Sequence, residues 1–304
     1  MVLLVEREIG VISKATRDRA FGILQDLLAE LRQAGAPTAE PPYDAMVEVV
    51  DEIRSEMAKL SHVLVSWTLF NAPDEYQCVH PFDVAVFSVA TALAMGEKAR
   101  VVDIGIGALM HDIGMALVPV AADYREGEGL APADLVRVRA HPELGVRVLR
   151  QHPRVSAFTK AIVAQHHERM DGSGYPRGLR GADIHMYSRM VACADVYSSM
   201  LIRSHLDQHM TPGEVADYMM SAAGFEFDKD VVRVMLSCVS PFPEGALVRL
   251  STGELAVVER LSRGLLTRPV VRLVREEGGK RVETAQEIDL GSPEHQTTLI
   301  TAIV

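Results

Sequence analysis

Across residues 13–31 the apolar positions Ala20, Ile23, Leu24, Leu27, Leu28 and Leu31 recur at three- and four-residue spacing. That spacing predicts a helix with one buried face. Gly35, Pro37 and the Pro41-Pro42 pair then break the pattern. A second helix is predicted over 43–60, with Met46, Val49, Val50, Ile53 and Met57 on one side. Both helices keep long polar faces, so each is expected to dock on the rest of the chain or on a second copy. From about 61 to 240, helical patterns alternate with short Gly- and Pro-containing connections. Thr211-Pro212-Gly213-Glu214 carries an N-cap threonine, a proline at the first helical position and a capping-box glutamate. Beyond 240 the pattern changes: 246–250, 255–259 and 270–274 are rich in Val and Leu. Ser251-Thr252-Gly253 and Glu277-Gly278-Gly279 punctuate them, which predicts a small antiparallel sheet. The expected division is 1–60 as a helical packing, dimerisation or sensory region, 61–240 as the main helical domain, and 241–304 as a β-rich extension.

Composition narrows the class. With 48% hydrophobic and 24% charged residues in 304, the chain is expected to be globular rather than disordered. No apolar run reaches the roughly eighteen uncharged residues that a membrane span needs. The start, MVLLVEREIG, is broken by Glu6 and Arg7 and lacks a basic n-region and a cleavage site, so no secretory signal is expected. Cys78, Cys193 and Cys238 are far apart and form no CxxC pair, which fits reduced thiols in the cytoplasm. A net charge of −10 argues against binding a nucleic-acid polymer. It leaves room for a small anion, because a metal centre supplies concentrated positive charge that the formal count omits.

The eleven histidines are unevenly placed. His111-Asp112 lies in ALMHDIGM, His166-His167 in VAQHHERMDGSGYP, His80 at the head of PFDVAVFSVATALAMG, and His141 at the head of HPELGVRVLR. A lone histidine beside an apolar run is ordinarily a core or surface residue. A vicinal His-Asp read as part of an apolar helix is different, since ionised carboxylates are rarely buried unpaired. Asp195, among Val191, Ala192, Ala194 and Val196, poses the same problem. A pair of divalent cations satisfies all these groups at once. Imidazoles with carboxylates suit Fe, Mn, Zn, Co or Ni, and Asp112 is the natural bridge. Such sites favour hydrolysis, with phosphoryl oxygens held by the metals and water activated at neutral pH.

The string carried by His80, His111-Asp112, His141, His166-His167, Gly174-Tyr175-Pro176 and Asp195 closely resembles the HD-GYP family. The resemblance covers roughly 70–240, and HHERMDGSGYPRGLRG is its most specific part. It implies a mainly α fold, an HD-type helical bundle with N-terminal helices and a small C-terminal β extension. It further implies a cytoplasmic, metal-dependent phosphodiesterase of bacterial signalling that hydrolyses a cyclic dinucleotide, chiefly cyclic di-GMP. The implied ligands are His80, His111, Asp112, His141, His166, His167 and Asp195, with His111 and Asp112 as the catalytic pair. Two divalent ions are expected, iron or manganese, and a homodimer or a signalling protein is the expected macromolecular partner. Gly174, Tyr175, Pro176, Arg169, Arg177 and Met115 are the implied substrate contacts. For Tyr175 two readings stand: its ring or hydroxyl meets a bound base, or its loop simply caps the helix bearing His166 and His167.

The chain also departs from the family. Met115 stands where the family writes the lysine of HDIGK, and Ser204-His205-Leu206-Asp207 stands where it writes an Arg-Pro-Tyr-Arg/Lys stretch. Arg169, Arg177 and Arg180 around the GYP loop are either replacement cations or solvated surface arginines. Tyr76 occupies the position one turn before His80 where a third metal would want a carboxylate. Glu75, five residues before, is about 140° off that face. His205 and His209 have metal-compatible spacing but read as solvated, and His62, His152, His185 and His295 read as exposed or capping. Two other functions follow from the departures. One is a catalytically weak, metal-binding sensor or interaction module; the other is a phosphohydrolase of a different nucleotide.

Overall fold

The computed structural model describes residues 12–58, 65–66, 76–119, 131–150, 152–207, 210–242, 244–262, 266–277 and 280–304. Glu75, His62, His209 and the side chains of 203–207 lie outside the described parts.

Helix α1 (Lys14–Ala34) starts where the Ser13 hydroxyl accepts the Thr16 N–H. It stops at Gly35, whose φ of 59° lets its N–H turn back onto the Leu31 carbonyl. Helix α2 (Tyr43–Ala58) buries the five residues expected of it, Met46, Val49, Val50, Ile53 and Met57. Strand β1 (Val65–Ser66) precedes α3 (Tyr76–Ala94), the central element of the fold. Every residue of α3 from Cys78 to Ala92 is buried, because α1, α2, α4, α8 and α10 pack around it. Among the described residues α3 is the one helix long and apolar enough to cross a membrane, and 83% of that stretch is buried inside the fold.

Helix α4 (Val101–Leu109) departs from the expected pattern. The sequence reading places His111-Asp112 inside an apolar helix, but α4 stops two residues earlier and both residues sit in a turn before a short 3-10 segment, Ile113–Leu117. The cause is a close approach. A Cβ on Gly114 would lie 2.0 Å from the His141 carbonyl oxygen and 2.6 Å from the Gly145 amide nitrogen. The chain turns there so that its backbone can rest directly on the start of α6.

Next come α5 (Pro132–Val138), α6 (His141–Arg150), α7 (Ala157–Gln165), α8 (Met186–Asp207), α9 (Pro212–Ala222) and α10 (Lys229–Cys238). The capping box read from Thr211 and Glu214 is present at the start of α9. Strand β2 (Val239–Ser240) pairs in parallel with β1. A five-stranded antiparallel sheet follows, from β3 (Leu247–Leu250), β4 (Leu255–Arg260), β5 (Val270–Glu277), β6 (Lys280–Asp289) and β7 (Ile300–Ile303), in the order β6-β5-β4-β3-β7. The inner face of this sheet, including Val248, Ala256, Val271 and Ile300, joins the same hydrophobic core as the helices.

Candidate metal centre

Seven side chains from five parts of the fold converge at one end of α3. His80 comes from α3 itself, His111 and Asp112 from the turn after α4, and His141 from the first residue of α6. His166 and His167 follow α7, and Asp195 lies within α8. The five imidazoles and Asp195 are buried, whereas the Asp112 side chain is 31% exposed and faces the opening.

Three of the rings are fixed by one device. Nδ1 of His111 lies 2.7 Å from the Ala108 carbonyl, Nδ1 of His141 lies 2.8 Å from that of Val138, and Nδ1 of His166 lies 2.9 Å from that of Val163. Each carbonyl sits in the last turn of a helix, where no intrahelical partner remains. Each ring therefore donates its Nδ1–H to the main chain and turns its Nε2 toward the centre. His80 is held from α8, with Nδ1 3.1 Å from the Ser198 hydroxyl and Nε2 3.1 Å from Asp195 Oδ1.

The inward-facing atoms are crowded. Asp112 Oδ1 is 3.1 Å from His141 Nε2 and 3.6 Å from His166 Nε2, and Asp112 Oδ2 is 3.5 Å from His111 Nε2. His141 and His166 bring their Nε2 atoms within 3.1 Å. With both Nδ1 atoms donating, two lone pairs face each other, an arrangement that a cation relieves. Among the described residues His111 Nε2 and Asp195 Oδ2 are buried without a hydrogen-bond partner, and such orphaned atoms are costly unless an ion or water satisfies them. Two groups have the compactness a metal ion requires: Asp112 with His141, His166 and His167, and His80 with His111 and Asp112. Asp112 belongs to both. The residues present fit a divalent metal pair.

Without metal, protons balance part of the charge. Burial opposes a charge on His111, but Asp112 and Asp195 outweigh it and raise its pKa to about 9. Burial also works against ionised Asp112, yet the positive charge on His111 beside it holds that carboxyl well below the ordinary range. Burial drives His166 down to about 4 and holds His167 well below the ordinary imidazole range.

The GYP loop is built on His167 and its neighbour. Glu168, buried, accepts the N–H of Arg177 and of Leu179, each at 2.9 Å. Tyr175 donates its N–H to the His167 carbonyl at 3.2 Å, and the Tyr175-Pro176 bond is cis. Gly174 permits close approach, but to the loop's own backbone: a Cβ there would lie 2.4 Å from the His167 carbonyl oxygen. The Tyr175 ring stacks on His167, centroids 4.5 Å apart, with the Arg139 guanidinium 5.3 Å over it. Tyr175 thus braces a candidate ligand.

Arg169 donates to the carbonyls of His166 and Glu168 and lies over the Phe227 ring. Arg177 is exposed, and the Arg180 side chain lies across Gly172. Met115 lines a cavity together with His80 and Asp112. Tyr76 stacks on His80 with centroids 5.2 Å apart, so an aromatic ring covers the imidazole where a third metal would want a carboxylate.

The sequence reading missed Ser198, Arg139 and Glu168. Glu168 carried a legible signal, being an acidic residue directly after His166-His167 and before a glycine-rich loop with N–H groups to satisfy. Glu168→Gln leaves one acceptor oxygen for two donors and sets an NH2 group against the other. We expect a loss of about 1–3 kcal/mol, read as a lower melting temperature and faster amide exchange across 171–181. Unchanged exchange would show that the carboxylate does not hold the loop.

The family described as an HD domain matches residues 71–231, more than half of the chain. The chain belongs to the HD domain family. A second family, the KOW domain associated with HD domain, matches 247–303, the region of β3 to β7. A cyclic di-GMP phosphodiesterase of Pseudomonas aeruginosa is 34% identical over 246 residues, covering 80% of this chain and 59% of the relative. A 3'3'-cGAMP-specific phosphodiesterase of Vibrio cholerae is 31% identical over 128 residues, covering 42% of this chain and 24% of the relative. The solved structure of an HDG"Y"P protein from Bdellovibrio bacteriovorus superposes with a TM-score of 0.52 at 19% identity, over 76% of this chain and 74% of that one. The helical bundle is therefore an HD fold with N-terminal helices and a β-rich C-terminal extension. The chain spans 59% and 53% of the length of two of its curated relatives.

Proposed function

We propose that this HD domain protein is a metal-dependent phosphodiesterase that opens a cyclic dinucleotide, most readily cyclic di-GMP. The observation that carries the reading is the pair of candidate ligand groups sharing Asp112, with His111 Nε2 and Asp195 Oδ2 left orphaned beside them. The names of the two phosphodiesterase relatives support the substrate class.

His141, His166, His167 and Asp112 would hold one ion; His80, His111, Asp195 and the shared Asp112 would hold the other. When bound, divalent iron or manganese would supply charge for the phosphoryl oxygens and acidify water at neutral pH. The chain's own part is to fix the ligand nitrogens through the main-chain carbonyls and to keep Asp112 anionic. The Tyr76 ring over His80 supports a reading of two ions rather than three.

A second reading rests on Met115, whose apolar side chain lies in the cavity beside His80 and Asp112. A protein with that substitution can keep metal and ligand while turning over slowly, as a sensor would. Metal-loaded protein incubated with cyclic di-GMP and with 3'3'-cGAMP separates the readings. Linear products from either support the enzyme, binding without products supports the sensor, and neither binding nor products from any cyclic dinucleotide rejects both.

The charge state yields a further expected result. At pH 7 His111 is protonated in the metal-free chain, whereas His166 and His167 are already neutral. A metal needs the neutral imidazole, so uptake displaces the His111 proton and apparent affinity rises with pH until about 9. Calorimetric titration in two buffers of different ionisation heat measures this release, and identical heats in both would contradict it.

A further inference from the structure

A cavity of about 260 Å³ opens beside the candidate metal centre. Two candidate ligands, His80 and Asp112, form part of its lining, and Met115 stands among them. The opposite wall comes from α1, through Leu24, Leu28 and Arg32. These three residues are spaced four apart and so occupy one helical face. Leu24 and Leu28 are buried against the fold, while Arg32, in the last turn, is exposed. Helix α1 lies wholly outside the residues that match the HD domain, yet it closes the space in front of the ligands.

Arg32 has unspent charge. Among the described residues its one polar partner is the side-chain oxygen of Gln77, three residues before His80 on α3, which also lines the cavity. Gln77 is neutral, so it orients the guanidinium without cancelling it, and most of the five N–H donors stay available. Arg169, by contrast, is engaged with main-chain carbonyls and the Phe227 ring. The lining of this cavity therefore includes an arginine, Arg32, where Met115 offers no positive charge. A guanidinium matches phosphate geometry in two-point contact. The cavity is smaller than the roughly 300–1,000 Å³ usual for small-molecule sites, so it has room for only part of a dinucleotide.

We propose that Arg32, supplied by the N-terminal helix, is the phosphate-binding cation of this pocket and does the work expected of a lysine at position 115. The proposal rests on the cyclic-dinucleotide reading above. It also gives α1 a part in recognition beyond packing.

The test uses the full chain loaded with manganese and a phosphorothioate analogue of cyclic di-GMP that resists hydrolysis. Arg32→Ala should weaken binding about ten- to a hundredfold, and Arg32→Glu more. Arg32→Lys should recover most of the affinity, and so should Met115→Lys in the Arg32→Ala background. With cyclic di-GMP itself, Arg32→Ala should raise KM more than it lowers kcat. Metal content and melting temperature should match the unsubstituted chain, since Arg32 is exposed and touches no candidate ligand. Unchanged affinity in the Ala and Glu variants, with the analogue still binding the parent chain, would overturn the role of Arg32 and leave the phosphodiesterase reading standing. So would a loss that Lys does not restore and that comes with lost metal. If the parent chain neither binds nor cleaves any cyclic dinucleotide, the underlying reading fails and takes this proposal with it.

Discussion

Asp112→Ala is expected to strip the chain of bound metal and to lower cyclic di-GMP hydrolysis by well over a hundredfold. Its two oxygens reach His141 and His166 on one side and His111 on the other, so one substitution breaks both candidate groups. Changes in residues that merely support ligands typically cost ten- to a hundredfold in affinity or activity; removing a shared ligand should cost more. His111→Ala should have a similar effect on the group it shares with His80. The variant should keep its helical circular dichroism, because Asp112 is partly exposed and lies in a turn. Elemental analysis decides the matter: full occupancy in Asp112→Ala would remove the carboxylate from the centre.

Gly114→Ala should be the most damaging substitution that introduces only a methyl group. The added Cβ would meet the His141 carbonyl oxygen at 2.0 Å and the Gly145 amide nitrogen at 2.6 Å. Those atoms are main chain, so no side-chain rotation relieves the clash, and the turn must lift off α6. We expect about 3 kcal/mol or more of destabilisation, with metal lost in any protein that still folds, because the displaced turn separates Asp112 from His141. Gly22→Ala is the control. Its Cβ meets nothing within 4 Å in the middle of α1, so it should stabilise by about 0.5–1 kcal/mol. Thermal melts of the two variants compare them directly, and a Gly114→Ala chain as stable as the parent would show that the close approach is not required.

Much of this was legible because the signals are local. Helical periodicity placed α1 and α2, and the family resemblance carried by His80, His111-Asp112, His141, His166-His167 and Asp195 named residues that the fold brings together. What escaped depends on contacts distant in sequence. The stop of α4 before His111 is set by the backbone of α6, and no pattern within ALMHDIGM reports it. Strand β6 escaped because its sequence, KRVETAQEID, is mostly polar, and β7 because it has only four residues. Arg32 was invisible for the same reason, since nothing in 13–34 says that the helix faces a histidine cluster built by residues far along the chain.

His111, His141 and His166, which follow α4, α5 and α7, each answer a carbonyl in the last turn of the helix before it. The positions of the nitrogen donors are thereby written as helix lengths. Adding or deleting one residue in the last turn of α7 would swing the His166 ring by about 100° and shift it about 1.5 Å along the axis, even though every ligand remained in the sequence. In this fold an insertion is a change of coordination chemistry, and a motif search that tolerates gaps would pass over it.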